Sequence, residues 1–513
     1  KVRVFAPDPG GAFGGKQNPK FEPLVAFMAL RTGHPVRLVL TLEETFQAVR
    51  RSSAEIRIRS GFREDGTMMF HDFEMNFLVG AYVDIADRVV GKSSYIAAGP
   101  YRVPAANIVS RAILSHTTPS TAFRGFGVPQ VGWARESNVD DAALALGIDR
   151  LDIRLLNLAR PDEVFLPPER ADGDWAQTVR IAAKRIGWGT PIPDGRGRGI
   201  AVGIKSGPTT GLSYSTVRLL VDGSALVYAG TSDMGQGART VFAQIASQEL
   251  GVPVGRIRVV MGDTAVVPYD QQTSASRSST LMGTAVYRAC RDIQDQVRAM
   301  ASKVHGVATS EVVVESGIVR LLGRDLPITE VVRDGLGLLG GELLGRGEMR
   351  KDKDPDHPLG GMAAFFEFNC TAAEVEVDRE TGHITIHRYV TVGDVGRALN
   401  PLQVAAQDEG GAVMGLGHTL MEHIILDDTG RIRNLGAIDY QILTSMDVPV
   451  EMISETVENA DGPGPYGLKG VAEGSVLVAA PAVAAAVRDA TGVVIRDLPL
   501  TPERVWQAMV EAR

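Results

Sequence analysis

Glu473 is a lone carboxylate in GLKGVAEGSVLVAAPAVAAAV (467–487), set among Gly, Ala and Val ahead of an apolar run. Apolar surroundings push a carboxylate up in pKa, which suits a general base. The plain alternative is a glutamate at a helix start, facing the positive end of the dipole. A second chemically suggestive stretch is PGGAFGGKQNP (9–19). Its residues 10–17 read G-x-x-x-x-G-K-Q, one residue short of a nucleotide-binding P-loop. Gln17 offers an amide where the P-loop needs a hydroxyl for Mg²⁺. Asn18 precedes Pro19, which keeps the chain out of the helix that should follow. An ATP cradle is therefore the weaker reading. Four glycines in six residues (10–15) still mark a close approach of backbone to something.

Other glycine and hydroxyl turns resemble the first. TAFRGFGVPQ (121–130) sets Arg124 between aromatics. In GTSDMGQG (230–237), Gly235 and Gly237 free backbone N–H groups at a helix start, a seat for an anion, and Gln236 adds a two-sided amide. QQTSASRSST (271–280) carries Ser274, Ala275, Ser276 and Ser278 ahead of a helix. NPLQVAAQDEGGAVMGLG (400–417) places Gln407 before small residues. Each alone reads as ordinary capping. Together they form several donor-rich turns without a cationic cluster, and no H-E-x-x-H or C-x-x-C accompanies them. A large, polar, phosphate-bearing cofactor held by backbone and amides suits such a set.

GGAFGGK (10–16), TAFRGFGVPQ, GTSDMGQG, TSASRSS (273–279), the Gln407 segment and GLKGVAEG (467–474) resemble, in this order, the xanthine dehydrogenase and aldehyde oxidase family. The similarity is to its large, molybdopterin-binding subunit. It implies an α+β fold of two molybdenum-cofactor-binding domains, with mixed or antiparallel sheets and packed helices. Residues 1–160 would be the C-terminal part of the first domain and 161–513 the second. The implied cofactor is molybdenum on a pyranopterin dithiolene, in bacteria often the cytosine dinucleotide, with no metal ligand from the protein. By motif match, Gly11, Ala12, Phe13, Gly14, Arg124, Gly235, Gln236, Gly237, Ser276, Ser278 and Gln407 would hold the cofactor. Gln17, Phe126, Ser274 and Ala275 would meet substrate. Glu473 would be the catalytic base, with Arg124 beside the metal. The implied reaction is hydroxylation of an aldehyde or N-heteroaromatic carbon, with oxygen from water. The implied partners are an iron–sulfur subunit, an FAD subunit and a separate chain carrying the N-terminal molybdopterin-domain part.

Departures from the family pattern bear on the substrate. Gln17 stands where purine-oxidising members carry a glutamate, which weakens the case for xanthine. KSGPTTGLSY (205–214) lacks the second aromatic that would sandwich a flat purine, and the base loop reads VAEGS rather than Gly-Glu-Pro. A cofactor-less scaffold of the same fold is the non-enzymatic alternative.

The elements that must position these groups follow from periodicity. At 513 residues the chain exceeds one core. Net charge is −8 with no long basic run, which argues against nucleic acid as partner. No uninterrupted apolar run reaches membrane-span length. Two cysteines cannot hold a four-cysteine cluster and form no disulfide framework, which points to a reducing, cytoplasmic setting. The chain enters at Lys1 on a strand-like VRVF, so a preceding segment is expected to be missing or carried elsewhere. Period-two patterns predict hairpins over 55–82, 217–231 and 371–390. Helices are expected over 129–147, over 238–250, on the stripe through Cys290, after Asn400-Pro401 and after Thr501-Pro502. The stretch 158–175, rich in Pro and charge, reads as a domain linker.

Overall fold

The structure, a computed structural model, describes residues 2–337 and 340–512. Its principal elements run α1 (Glu22–Thr32), β1 (Ser53–Phe62), β2 (Met68–Gly80), α2 (Ala86–Tyr95), β3 (Ala105–Leu114), α3 (Val128–Leu146) and α4 (Trp175–Ile186). Then come β4 (Arg196–Ser206), β5 (Gly211–Leu220), β6 (Ala225–Ala229), α5 (Ala238–Leu250), β7 (Ile257–Val260), α6 (Gly283–His305) and β8 (Glu342–Lys351). The chain closes with β9 (Phe366–Val377), β10 (Ile384–Asp394), α7 (Pro401–Leu420), β11 (Glu451–Val457), α8 (Ala479–Thr491) and α9 (Pro502–Glu511).

Three sheets carry the fold, and each mixes parallel with antiparallel pairs. The order β1–β2–β3 has an antiparallel then a parallel pair. The order β7–β6–β5–β8 is parallel at β7 and antiparallel elsewhere. The order β11–β10–β9–β4 is parallel only at β11. In the second sheet, β5 and β6 alternate buried with half-buried residues, as one covered face requires. In the third, β4 and β9 are buried almost without interruption, covered by α8 on one face and α4 on the other. A charged residue inside β4 or β9 is therefore confined with whatever partner the fold supplies.

Glycines make two of the helix–sheet contacts possible. A Cβ at Gly197 or Gly199 of β4 would run into the backbone of α8, and one at Gly345 or Gly347 of β8 into that of α6. Both helices present alanines there, so backbone rests almost on backbone. The stretch Gly474–Thr491 has the length and composition of a membrane span but is mostly buried against this sheet.

All three predicted hairpins form, at β1–β2, β5–β6 and β9–β10. The helix starts are capped as expected, Asn400 accepting from Gln403 N–H and Thr501 from Arg504 N–H. Cys290 is buried on α6, and Cys370 is buried in β9. Two expectations fail. VRVF is not a strand; Phe5 makes a single bridge to Asp263, with Val2 and Val4 exposed. The stretch 158–175 is not a free linker. Leu158, Ala159, Phe165, Ala171 and Trp175 join a core with Phe366 and Phe368 of β9. Trp175 stacks on Phe368 at 5.2 Å between ring centroids, with Phe165 edge-on at 5.0 Å. A few aromatics spaced without period outweigh the polar composition around them.

Candidate active site

The glycine and hydroxyl turns meet at one cavity of about 970 Å³, walled by both halves of the chain. The opening loop forms one side. Gly11 N–H donates to Met234 O at 3.0 Å, joining this loop to 230–237. Phe13 (φ 49°) and Gly14 (φ 117°) both hold left-handed backbone. A Cβ at Gly14 would overlap the Ala122 carbonyl, so this glycine lets the loop close on the Arg124 turn. Lys16 Nζ donates to Pro9 O (2.6 Å) and Gly11 O (2.7 Å), folding back on its own loop. The next helix starts only at Glu22. A P-loop opens directly into a helix whose N-terminus seats the phosphates; here five residues separate Lys16 from α1, so the loop lacks that architecture.

The 230–237 turn differs from the expected anion seat. Asp233 already supplies the anion. Its Oδ1 accepts from Gly235 N–H (3.0 Å) and Gly237 N–H (3.3 Å), and its Oδ2 from Arg239 N–H (3.0 Å). A short acidic side chain at a helix start competes with any external anion for the same donors. The Gln236 amide is also engaged, accepting from Met234 N–H at 2.6 Å and donating to Ser232 O at 2.9 Å. Gly237 turns the chain into α5 against the Gln403 side chain and does not line the cavity.

Across the cavity, Ala275 and Ser276 are consecutive non-glycine residues with φ near 52°. Such strain persists only where packing enforces it. Here Gly470 presses on the Ser276 carbonyl, and a Cβ there would overlap it. Ser278 opens a π-helical turn (Ser278–Met282) before α6, an irregularity often found at functional sites. Arg277 braces the loop from behind, 3.2 Å from Asp270 and donating to Ser213 Oγ at 2.9 Å.

Arg124 is buried and ties three segments together. It donates to the Ala472 carbonyl and to Gln407 O (2.7 Å), with Gln407 Oε1 at 3.4 Å. The next residue, Gly125, donates its N–H to Glu473 Oε1 at 3.0 Å. Phe126 follows with φ 51°, half-buried at the cavity wall.

Glu473 is where the apolar expectation fails. Its side chain is 13% exposed, and Lys205 Nζ lies 2.6 Å from Oε2. Burial pushes the carboxylate up, but the Lys205 ammonium and the Gly125 N–H outweigh it, holding Glu473 below the usual carboxylate range. Glu367 faces the same lysine at 4.0 Å, and its Oε2 accepts from Glu473 N–H at 2.8 Å. Burial, countered by Lys205 and reinforced by Glu473, holds Glu367 above the usual range. Lys92 of α2, donating to Gly207 O at 2.9 Å, is pushed down to about 7 by burial and then by Lys205. Asp408, next to Gln407, is pushed up to about 7 by burial, against the pull of Arg124.

Gly11, Ala12, Phe13, Gly14, Gln17, Arg124, Phe126, Gly235, Gln236, Ser274, Ala275, Ser276, Ser278, Gln407 and Glu473 all line the cavity. Asp233, Lys205, Glu367 and Lys92 were missed. Lys205 and Glu367 had a readable signal, each being a single charge inside an apolar strand pattern, IAVGIKS and AAFFEFN. Asp233 was hidden behind the glycines that follow it.

These surroundings suit a molybdopterin. Ser276 Oγ, beside Glu367 but off hydrogen-bonding geometry, and Gln403 Oε1 on the wall are buried polar atoms without a hydrogen bond among the described residues. A polar cofactor would satisfy them. Among the described residues no cluster of three or more His, Cys, Asp or Glu could ligate a metal. A metal here would have to bring its own ligands, as a dithiolene does.

Comparison with known proteins agrees. The sequence models of the molybdopterin cofactor-binding domain match residues 1–158 and 173–449. The chain is 32% identical to the xanthine dehydrogenase molybdenum-binding subunit of Escherichia coli O157:H7, over 99% of its length and 69% of that protein's. It is 27% identical to the aldehyde oxidoreductase of Megalodesulfovibrio gigas, over 98% of this chain and 54% of that one. Its fold matches quinoline 2-oxidoreductase from Pseudomonas putida 86 with a TM-score of 0.88 at 27% identity, covering 99% of this chain and 69% of that one.

Proposed function

The chain belongs to the xanthine dehydrogenase and aldehyde oxidase family as a molybdenum-binding subunit of molybdopterin-dependent oxidoreductases, and from that premise we propose that it hydroxylates an aldehyde or N-heteroaromatic carbon, with water as the oxygen source. The observation that carries this reading is Glu473, an ionised carboxylate at the cavity wall fixed by Lys205 and Gly125 N–H. Residues 1–160 and 161–513 are the two cofactor-binding domains in this reading, supported by the matched ranges 1–158 and 173–449.

When bound, the molybdenum–pterin supplies a two-electron acceptor and a centre at which water is activated. Ser276, Ser278, Gln407 and the backbone of Gly11–Gly14 would hold it. Glu473 accepts the proton from the oxygen nucleophile at a carboxylate oxygen. Phe126 offers an aromatic face to a flat substrate. Gln17 can both donate and accept a hydrogen bond, so it suits a neutral substrate edge. Lys92 adds a donor whose charge changes near neutral pH. The relatives named for an aldehyde and for quinoline support these two substrate classes. Two buried cysteines cannot hold a four-cysteine cluster, and in this reading electrons leave to iron–sulfur and flavin groups outside these residues, assigned here to partner chains. The same unpaired thiols favour the cytoplasm. The cytosine dinucleotide is the form of the cofactor in this reading, a large ligand for a cavity of about 970 Å³.

The test is turnover in ¹⁸O-labelled water with a panel of aldehydes and N-heteroarenes, using native protein and Glu473→Gln at equal molybdenum content. Labelled product from the native chain and a rate at least about 10²-fold lower in the variant are expected, the scale of a lost proton-transfer group. Unlabelled product, or equal rates, would sink the proposal.

A further inference from the structure

We propose that Lys205 is a positioning residue: with Glu367 anchored across the sheet, it holds the Glu473 carboxylate charged and fixed at the cavity wall. This rests on the reading of Glu473 as base. Lys205 is the penultimate residue of β4 and Glu367 the second of β9, and the two are direct cross-strand partners. Cross-strand partners have neighbouring Cβ atoms, so register alone pairs the two charges. Both are buried, at 1% and 2% side-chain exposure. The loop carrying Glu473 lies on this pair and is gripped twice. Glu367 Oε2 accepts from the Glu473 backbone N–H (2.8 Å), and Lys205 Nζ sits 2.6 Å from the Glu473 carboxylate. Among the described residues, the other hydrogen bond of Lys205 is a long one, 3.5 Å to Ser206 O.

One ammonium thus serves two carboxylates. Two such groups cannot both ionise cheaply beside one cation, so they divide one proton. The closer one, Glu473, also takes the Gly125 N–H and is the charged member. Glu367 Oε1 is buried with no hydrogen bond among the described residues, and burial raises its pKa, so on this proposal Glu367 carries the shared proton. The other ionisable groups that act on this pair come from separate elements. Lys92 of α2 favours the charged Glu473, Arg124 draws on both glutamates, and Asp408 of α7 adds a carboxylate behind Arg124. None of these three forms a direct contact with Glu473, so none replaces Lys205. Without the lysine, burial is the dominant remaining influence on Glu473 and protonates it. A protonated Glu473 cannot accept a proton.

The experiment compares native enzyme with Lys205→Met, Lys205→Arg, Glu367→Gln and Glu473→Gln, each assayed with its partner chains. Molybdenum content, the pH profile of kcat/KM and the infrared carboxyl bands are read on each. In Lys205→Met at native molybdenum content, kcat/KM at neutral pH should fall about tenfold or more, one pKa unit being tenfold. It should recover as pH rises, and a protonated carboxyl band should appear that Glu473→Gln removes. Lys205→Arg should keep the native acid limb. A native acid limb and native carboxyl bands in Lys205→Met would overturn the proposal. Should Lys205→Met fail to fold, the native spectrum decides. A protonated band at neutral pH that Glu367→Gln abolishes and Glu473→Gln leaves supports it, and a band that behaves the other way overturns it. Undiminished turnover in Glu473→Gln would instead sink the base reading. The infrared bands would still report the charge that Lys205 holds on Glu473.

Discussion

Glu473 and Lys92 respond to the same burial in opposite ways, because only one of them has a close partner of opposite charge. Glu473 stays ionised on account of Lys205, whereas Lys92, hydrogen-bonded to the Gly207 carbonyl and without an ion pair among the described residues, falls to about 7. Its folded pKa is depressed, so it is charged below about 7 and neutral above. KM for a substrate with an anionic or carbonyl group should therefore rise as pH passes upward through 7. In Lys92→Met that pH dependence should vanish, which steady-state assays between pH 6 and about 8.5 would read, a span bracketing this titration. A KM that is flat with pH in the native enzyme would reject this role. Glu473 itself was legible from its motif, but its environment was not. The sequence places it among Gly, Ala and Val, while its partner lies 268 positions earlier, on strand β4. Only the fold brings that charge to it.

At the level of elements, the strongly periodic segments could be read directly. Helix 238–250 and the three hairpins stand where alternation and turn residues put them. What escaped was side-chain capture of backbone donors. Asp233 takes the N–H groups that two glycines seemed to leave for a ligand, because a chain's own carboxylate is always at hand. The loops themselves are held by glycines at left-handed positions, and these give an element-scale prediction. Gly14→Ala would place a Cβ into the Ala122 carbonyl at φ 117°. The strain is on the order of 1–3 kcal/mol. Because the loop lies outside the buried cores, the variant should fold with a melting temperature near native but lose most of its bound molybdenum. Native molybdenum content in Gly14→Ala would show that this loop is not a cofactor wall.

Across the whole molecule, the halves are joined by buried aromatics and a buried charge network. Trp175 bridges the stretch read as a linker to β9, so Trp175→Ala should destabilise the protein by about 3–5 kcal/mol. Chemical denaturation followed by near-ultraviolet circular dichroism would measure it. A loss below about 1 kcal/mol would mean the stretch is a dispensable connector. Glu136 of α3 lies 2.9 Å from Arg154 and 3.1 Å from Arg135 and accepts the Val202 N–H of β4. Burial raises its pKa, but Arg154 and Arg135 more than reverse that, so the folded value is depressed. Its stabilisation is then complete above the unfolded pKa and is lost as pH falls through the folded one. Acid unfolding of the native chain should steepen in that range, and Glu136→Gln should be about 3–5 kcal/mol less stable at neutral pH. This network was illegible in sequence because each charge sits in an unremarkable helix or strand and gains meaning only from its neighbours.

One cavity collects the turns that the family motifs mark, and in the proposed function it holds molybdenum on a pterin, with Glu473 as the base. The most direct measurement is molybdenum and pterin content of the purified chain, co-expressed with its genomic neighbours, beside Glu473→Gln. One molybdenum and one pterin per chain are expected in both proteins, since Glu473 serves proton transfer and holds no metal. Native protein without molybdenum or pterin would contradict it and leave a scaffold that has kept the fold but lost the cofactor.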